Sequence, residues 1–390
     1  MSCLSFARFT NSEAKASSSL PVHNLNTGLN YSTIQDAINA NETLDGQTIF
    51  VDAGTYYENV VVNKSISLVG ANSESTIIDA NGTGDAVEMS NNVTLSGFML
   101  RNGGDGIDVE GGVNCYISDN QIINNTYGIN LECSVASPTF SVITRNYIAE
   151  SNIGIYALEA YNTTITANTI ANSSNMGIKL FASEYNTFFN NNFVNNSIQV
   201  FNSGESGDWP NIWDNGNSSG GNFWSDYKGT DTHDDGFGDS PYNVGPDIVG
   251  NIDHYPLMGM FNSFNVTSPC SVETVCNSTI SDFQFNGTAI SFNVSGENGT
   301  TGFCRISIPI VLINGTVRVF VNGTKVSYTL LPESNSTQSY LYFTYHHSTQ
   351  QVIITMPEFP SFLFLTLFAV TTLIAATAFR RRQHETESLV

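Results

Sequence analysis

Gly106-Ile107, Gly128-Ile129, Gly154-Ile155 and Gly177-Ile178, with a weaker Ser197-Ile198 behind them, punctuate the middle of the chain. Steps of about 20 to 26 residues are the period of a solenoid, in which each repeat buries its apolar face only by stacking on its neighbour. A second marker keeps phase with the first. Asn120-Gln-Ile122, Asn146-Tyr-Ile148, Asn168-Thr-Ile170 and Asn191-Asn-Phe193 each set an Asn two residues before an apolar side chain. Two landmarks in phase predict one coiled unit, repeated, with three short strands per turn: an all-β, right-handed parallel β-helix. An antiparallel sandwich would need hairpin turns at matching places and does not predict two markers in step.

Upstream of the regular repeats, Thr48–Val51, Gly54–Tyr57, Val60–Val62 and Ile66–Gly70 are short β-branched runs separated by Gly, Asn and Asp. Before them, Tyr31–Ala40 reads as a short amphipathic helix that plugs the open end, with Ser32 as its N-cap and Ile34, Ala37 and Ile38 inward. The asparagines of the second marker are assigned to turns, where Asn tolerates left-handed backbone and can bond to the next Asn in the stack.

The opening Tyr31-Ser-Thr-Ile-Gln, the Gly54-Thr-Tyr-Tyr-Glu-Asn-Val stretch and the segment 211–260 carry a family likeness. That segment includes Trp213-Asp-Asn-Gly216, Gly221-Asn-Phe-Trp-Ser-Asp-Tyr227 and Asp253-His-Tyr-Pro-Leu-Met258. Residues 29–260 resemble the NosD-type β-helices of archaeal surface proteins, a group that overlaps carbohydrate-binding and sugar-hydrolase β-helices. The resemblance implies a fold and leaves the activity open.

Residues 261–356 change character. Ala289–Val294, Thr316–Val321 and Ser339–Thr344 alternate as strands, and Asn-Gly pairs at 314 and 322 signal hairpins, predicting a small β-sandwich. Gly302–Pro309 resembles a segment of stalk-like domains in archaeal envelope proteins, which implies a spacer. Residues 357–379 hold Pro357-Glu-Phe-Pro360, similar to PEF-type sorting signals, and an uncharged apolar run from Ser361 to Phe379. As a helix that run would span about 28 Å of hydrocarbon. Arg380, Arg381 and Arg382 open the tail 380–390, which the positive-inside rule places in the cytoplasm, with everything before Pro360 outside. Residues 1–28 show no apolar core of a secretory signal, so the expectation is a start site placed too late, with a signal upstream.

The charge supports an exported surface protein. Thirteen Lys and Arg stand against 35 Asp and Glu, which excludes nucleic acid as a partner. Roughly eighteen Asn-X-Ser/Thr sequons, such as Asn162-Thr-Thr164, suit a glycoprotein. Of six cysteines, Cys115 with Cys133, and Cys304 with either Cys270 or Cys276, are disulfide candidates.

The repeat also aligns side chains in columns. With the repeated isoleucines inward, one outward column is Asp108, Asn130, Tyr156, Lys179 and Gln199, and the next is Glu110, Glu132, Leu158, Phe181 and Phe201. Rings that stack on sugar faces, beside amides and carboxylates that bond hydroxyls, predict a glycan-binding strip at Asp108, Asn130, Tyr156, Lys179, Gln199 and Phe181. Glu110 and Glu132 would stand one rung apart, near the carboxylate spacing of about 5 Å in a retaining glycosidase. The repeats nevertheless lack Asn-Thr-Asp-Gly, Gly-Asp-Asp and Gly-His-Gly motifs, so a non-catalytic binding module is expected ahead of a polysaccharide hydrolase or lyase.

For metals, Asp231-Thr-His-Asp-Asp-Gly-Phe-Gly-Asp239 resembles a calcium loop, with Asp231, Asp235 and Asp239 as ligands of a weakly held Ca²⁺. Its departures are His233 at the third position and Tyr242 where a bidentate Glu is usual. The NosD resemblance brings in copper, since bacterial members serve maturation of the copper site of nitrous oxide reductase. Copper wants imidazole or sulfur, and His254, Met258 and Met260 form the one local cluster of such residues. His346 and His347, adjacent on a predicted strand, point to opposite faces. Expected partners are therefore glycans or envelope components, with the membrane reached through the C-terminal helix.

Overall fold

The computed structural model describes residues 20–109, 111–132, 139–202, 210–245, 250–267, 270–313 and 315–355. The predicted membrane helix, the PEF-like motif, the basic tail, Glu110 and Cys133 lie outside them. Among the described residues no helix is long and apolar enough to cross a membrane. Two compact units form: one comprises residues up to His233 with Phe237–Phe261, the other Asp234–Gly236 with the chain from Asn262 onward.

The first unit is an all-β solenoid of the right-handed type, about seven turns long. Each regular turn contributes one strand to each of three sheets, of nine, eight and seven strands. One turn is Thr94–Ser96 in the first sheet, Met99–Arg101 in the second and Asp105–Asp108 in the third. The corresponding strands one turn on are Tyr116–Ser118, Gln121–Ile123 and Tyr127–Glu132, all pairing in parallel. The early strands Thr48–Val51, Gly54–Tyr56, Val60–Val62 and Ser67–Gly70 fall within a residue of the sequence reading.

The register stacks like on like. In the third sheet Val60, Val87, Ile107, Ile129, Ile155, Ile178 and Val200 follow one another, all buried. In the second, Leu100, Ile122, Ile148, Ile170, Phe193 and Trp224 do the same. At about 1.5 to 3 kcal/mol for each large aliphatic removed from water, these columns are the main cohesive force.

The glycine before each isoleucine is required by crowding, not by a left-handed backbone. A Cβ on Gly106, Gly128, Gly154 or Gly177 would stand 2.5 to 2.6 Å from the carbonyl oxygen of the matching residue one turn on. For Gly177 that residue is Gln199. Ser197-Ile198 is therefore not the last Gly-Ile pair: Ile178 pairs with Val200, while Ile198 pairs with Met176 and is exposed.

The asparagine marker forms an internal ladder. The Oδ1 of Asn146 accepts from the backbone N–H and side-chain amide of Asn120, both at 3.1 Å, and Asn168 serves Asn146 in the same way at 2.9 and 3.0 Å. Asn191 then accepts from Asn168, and Asn222 from Asn191. These residues do not adopt left-handed backbone, contrary to the turn assignment. The positive φ falls one residue earlier, on Asp119, Arg145, Ala167 and Asn190. The ladder residue turns its amide into the coil, and the residue before it makes the corner.

Both ends of the stack are covered. At the start, helix Ile34–Asn39 buries Ile34, Ala37 and Ile38, and its N-cap is Thr33 rather than Ser32: the Thr33 hydroxyl accepts from the Asp36 amide at 3.1 Å. Ser32 instead bonds outward to Asp36. At the far end the aliphatic columns give way to rings. Phe188 stacks on Trp213 at 4.1 Å, Phe193 on Trp224 at 4.3 Å, and Trp224 on Tyr242 at 4.4 Å between centroids.

The second unit holds two five-stranded sheets around one core containing Val272, Cys276 and Ile306 from one sheet and Ile290, Phe292 and Val352 from the other. The hairpin Arg318–Val321 to Thr324–Val326 turns through Asn322 and Gly323, both at positive φ, as a two-residue Asn-Gly turn requires. Asn314 of the other Asn-Gly pair lies outside the described residues. Of the cysteine alternatives, the register sets Cys304 directly opposite Cys276, both buried thiols, with Cys270 half-buried at the head of the strand that holds Cys276.

Candidate functional site

The third sheet places most of the predicted strip in one row. Asp108, Asn130, Tyr156 and Lys179 are register partners in succession, and Glu132, Leu158 and Phe181 form the row beside them. Lys179 pairs with Phe201, so Phe201 ends the first row and Gln199 does not belong to it. The reason is the displaced last pair: with Val200 inward, the residue two before Phe201 occupies the second strand position, held elsewhere by glycine. Gln199 is buried there. Its Oε1 accepts from Asn196 at 2.9 Å, and its Nε2 donates to Ser225 at 3.1 Å and Asp226 at 3.4 Å.

Within the row the side chains touch. Lys179 Nζ lies 4.9 Å from the centre of the Tyr156 ring, a cation–π contact, and Tyr127 tilts against Tyr156 at 5.3 Å. Burial, then the nearby Glu132, pushes the Tyr156 phenol above its ordinary value, so it stays a neutral donor. Phe181 is 43% exposed and Phe201 36%, adjacent to that pair on the same sheet. The outcome is a surface with two apolar rings, a neutral phenol, an ammonium and, at Glu132, a carboxylate. Glu110, the proposed partner of Glu132, is outside the described residues.

At the start of the row lies an arrangement that the columns alone did not reveal. One ligand atom each from Asp85, Asp105 and Asp108 lies within 4.8 Å of the others. Asn130 donates from Nδ2 to Asp105 Oδ2 at 2.9 Å and to Asp108 Oδ1 at 3.3 Å. Burial, with the charges of Asp85 and Glu132, raises the Asp105 carboxyl to about 6 against the opposing Asn130 bond.

Sequence reasoning also missed a cleft of about 530 Å³ at the far end, lined by Gln199, Trp224, Asp226, Lys228 and Tyr242. The density of aromatic and acidic residues in Gly221–Tyr227 was its only signal. Tyr242 donates to the Asp226 carboxylate at 3.2 Å, and burial, reinforced by Asp226, holds its phenol well above the usual range.

The acidic loop is arranged differently from its sequence. Asp239 is held by its own neighbours in the loop. The Asp239 carboxylate accepts from the Thr232 amide at 2.9 Å and the Thr230 hydroxyl at 3.2 Å, and it pairs with His233 Nδ1 at 2.7 Å. Those bonds, the Thr232 amide first, keep its carboxyl below the usual range. His233, the departure from the calcium pattern, supplies a hydrogen bond to Asp239.

These features define a parallel β-helix with a mixed polar and aromatic row on its third sheet. The chain belongs to the NosD family, described as periplasmic copper-binding protein, which matches residues 16–229. A cell surface glycoprotein of Methanothermus fervidus is 39% identical over 105 residues, or 26% of this chain. The chain covers 17% of that relative's length. Among solved structures, Geobacillus virus E2 ORF18 aligns over 83% of this chain and 74% of its own at 15% identity, with a TM-score of 0.29.

The described residues gather no His and Cys ligand set of the kind that holds copper. Among the described residues the one group of three His, Cys, Asp or Glu ligand atoms is all carboxylate, whereas copper is held by imidazole and sulfur. His254, at the centre of the predicted cluster, bonds through Nδ1 to Asp214 at 2.9 Å. Both ring nitrogens of His347 are engaged, by Ser278 and Thr300, and His346 beside it is exposed on the opposite face of its strand.

Proposed function

We propose that this chain is an exported cell-envelope protein whose solenoid binds glycans along its third sheet without turning them over. The observation that carries the reading is the exposure of Phe181 and Phe201 on the face that holds the Tyr156–Lys179 pair. Rows one strand apart repeat at about 4.8 Å, close to the length of one sugar ring, so successive rings and polar groups can meet successive sugars. The aromatic faces take the apolar side of each ring, and Lys179 and Glu132 bond hydroxyls. The family's description and the relative's name, periplasmic and cell surface, support an exported location, as do the sequons. In this reading residues 261–356 act as the spacer and the C-terminal segment as the anchor.

A glycan array probed with the wild-type chain and with Tyr156→Ala and Phe181→Ala tests it. Signals should fall at least about tenfold in both variants, the size of one lost stacking contact in a water-exposed site. Binding that both variants retain in full would sink the proposal. Release of reducing sugar that depends on Glu132 would replace binding by hydrolysis.

A further inference from the structure

We infer that the edge of the solenoid between its second and third sheets is a row of N-linked glycan acceptors at Asn81, Asn124, Asn172 and Asn195. Each opens an Asn-X-Ser/Thr triplet, completed by Thr83, Thr126, Ser174 and Ser197. They share one corner on different turns. That column runs Asn81, Asn102, Asn124, Glu150, Asn172 and Asn195, all at positive φ, and bonds such as Asn102 N–H to the Asn124 carbonyl hold it in line. The four asparagines and their four hydroxyl residues are all exposed.

The fold accounts for the asparagines of this column and not for the hydroxyls. A left-handed corner favours Asn, but nothing in it calls for Ser or Thr two residues on. Glu150 makes the same corner with Asn152 at that place, and Asn102 makes it with Gly104. The Thr126 and Ser174 hydroxyls have no hydrogen-bond partner among the described residues. What a hydroxyl two residues after an exposed Asn does complete is the acceptor triplet for N-glycosylation. Interior asparagines behave differently. Among the described residues fourteen are buried and none opens such a triplet, so no sugar is called for where none would fit. In the ladder the register enforces this, because the residue two on is the inward Ile or Phe, whereas the exposed corner imposes no such limit. The corner between the first and second sheets turns through Gly97, Asp119, Arg145, Ala167 and Asn190, also at positive φ, and carries no triplet.

The co-reactant is an activated glycosyl donor of the lipid-linked sugar phosphate class. Asn Nδ2 attacks the anomeric carbon, an N–C bond replaces the C–O bond to phosphate, the phosphate leaves with the electron pair, and Nδ2 gives up one proton. The N–H that remains can still donate, as Asn124 Nδ2 does to Asn102 Oδ1 at 2.7 Å. Asn81, Asn124 and Asn172 stand two turns apart, about 10 Å, which is wider than one sugar ring. The inference rests on the exported location in the proposed function and not on glycan binding by the third sheet.

Mass spectrometry of peptides from the full chain, recovered from the exterior of its own cells, tests it. Peptides holding Asn124 and Asn172 should carry sugar masses that survive denaturation, and Asn102, exposed by half in the same column, should carry none. Thr126→Ala and Ser174→Ala should each abolish the addition on their own asparagine and leave the other sites modified, since both hydroxyls lie on the surface and their loss leaves the fold intact. Bare Asn124 and Asn172 in the exterior chain, or additions that persist in both variants, would overturn the assignment. A chain found bare and only inside the cell would overturn it together with the exported location.

Discussion

The solenoid and the two-sheet unit bury polar groups by opposite means. In the solenoid a buried polar side chain meets its own counterpart one turn on, as Asn120, Asn146, Asn168, Asn191 and Asn222 do. In residues 262–355 unlike groups meet once: Ser278 Oγ lies between the Tyr345 hydroxyl at 2.7 Å and His347 Nε2 at 2.8 Å. Repetition makes partners interchangeable and faults contagious, because one altered rung orphans groups on both neighbours. A contact made once fails locally.

The strongest way to break this contrast is Asn168→Ala. It leaves the Asn146 amide N–H and side chain without their acceptor and the carbonyls of Ile143 and Thr166 without their donor. With about 1 to 3 kcal/mol for each buried group left unpaired, a loss of about 3 to 5 kcal/mol is expected. Urea unfolding followed by tryptophan fluorescence reads it, since all the tryptophans precede residue 261. A change smaller than about 1 kcal/mol would show that the ladder does not hold the turns together. Next comes Gly154→Ala, whose Cβ would meet the Gly177 carbonyl oxygen at 2.5 Å, at an expected cost of about 2 to 3 kcal/mol by the same assay. Gly323→Ala in the second unit sharpens the comparison. At φ 75° it meets nothing within 4 Å, so only backbone strain of about 1 kcal/mol is expected there.

A pH experiment probes the far end of the solenoid. Burial raises Asp253 from 3.8 to about 6, although Trp224 Nε1 and the amides of Asn222 and Tyr255 donate to it. The folded chain therefore holds this proton more tightly than the unfolded chain. Its stabilising effect is complete below pH 3.8 and is lost as pH rises through about 6. Asp253→Asn should flatten that part of the stability profile relative to wild type, and an unchanged profile would count against a buried carboxyl. The smallest effect belongs to Phe181→Ala, expected within about 0.5 kcal/mol of wild type by denaturation, because the ring stands on the surface. Only glycan binding should register its loss.

The columns were legible because strand geometry is periodic: once Ile107 is inward, Asp108 and its partners up to Lys179 follow. The same logic failed at Gln199, because Ser197-Ile198 imitates the motif two residues before the register position, where Gln199-Val200 stands without a glycine. Thr33 and Ser32 are chemically equivalent caps, and only the turn of the chain selects between them. The acidic cluster was hidden for another reason. Asp85 sits at a corner, where spacing in sequence says nothing about which side chains converge, and only the pairing of two turns brings it to Asp105 and Asp108 at the ends of their strand.

The rings at the end of the stack carry one more consequence. A column of parallel strands finishes in unpaired N–H and C=O groups, a template on which another chain can build. Phe193, Trp224 and Tyr242 change the shape of that terminus from a row of narrow aliphatic side chains to broad flat plates, which no following aliphatic rung can match. The chain thereby writes its own full stop, and an assembly principle open to indefinite extension yields a stack of fixed length.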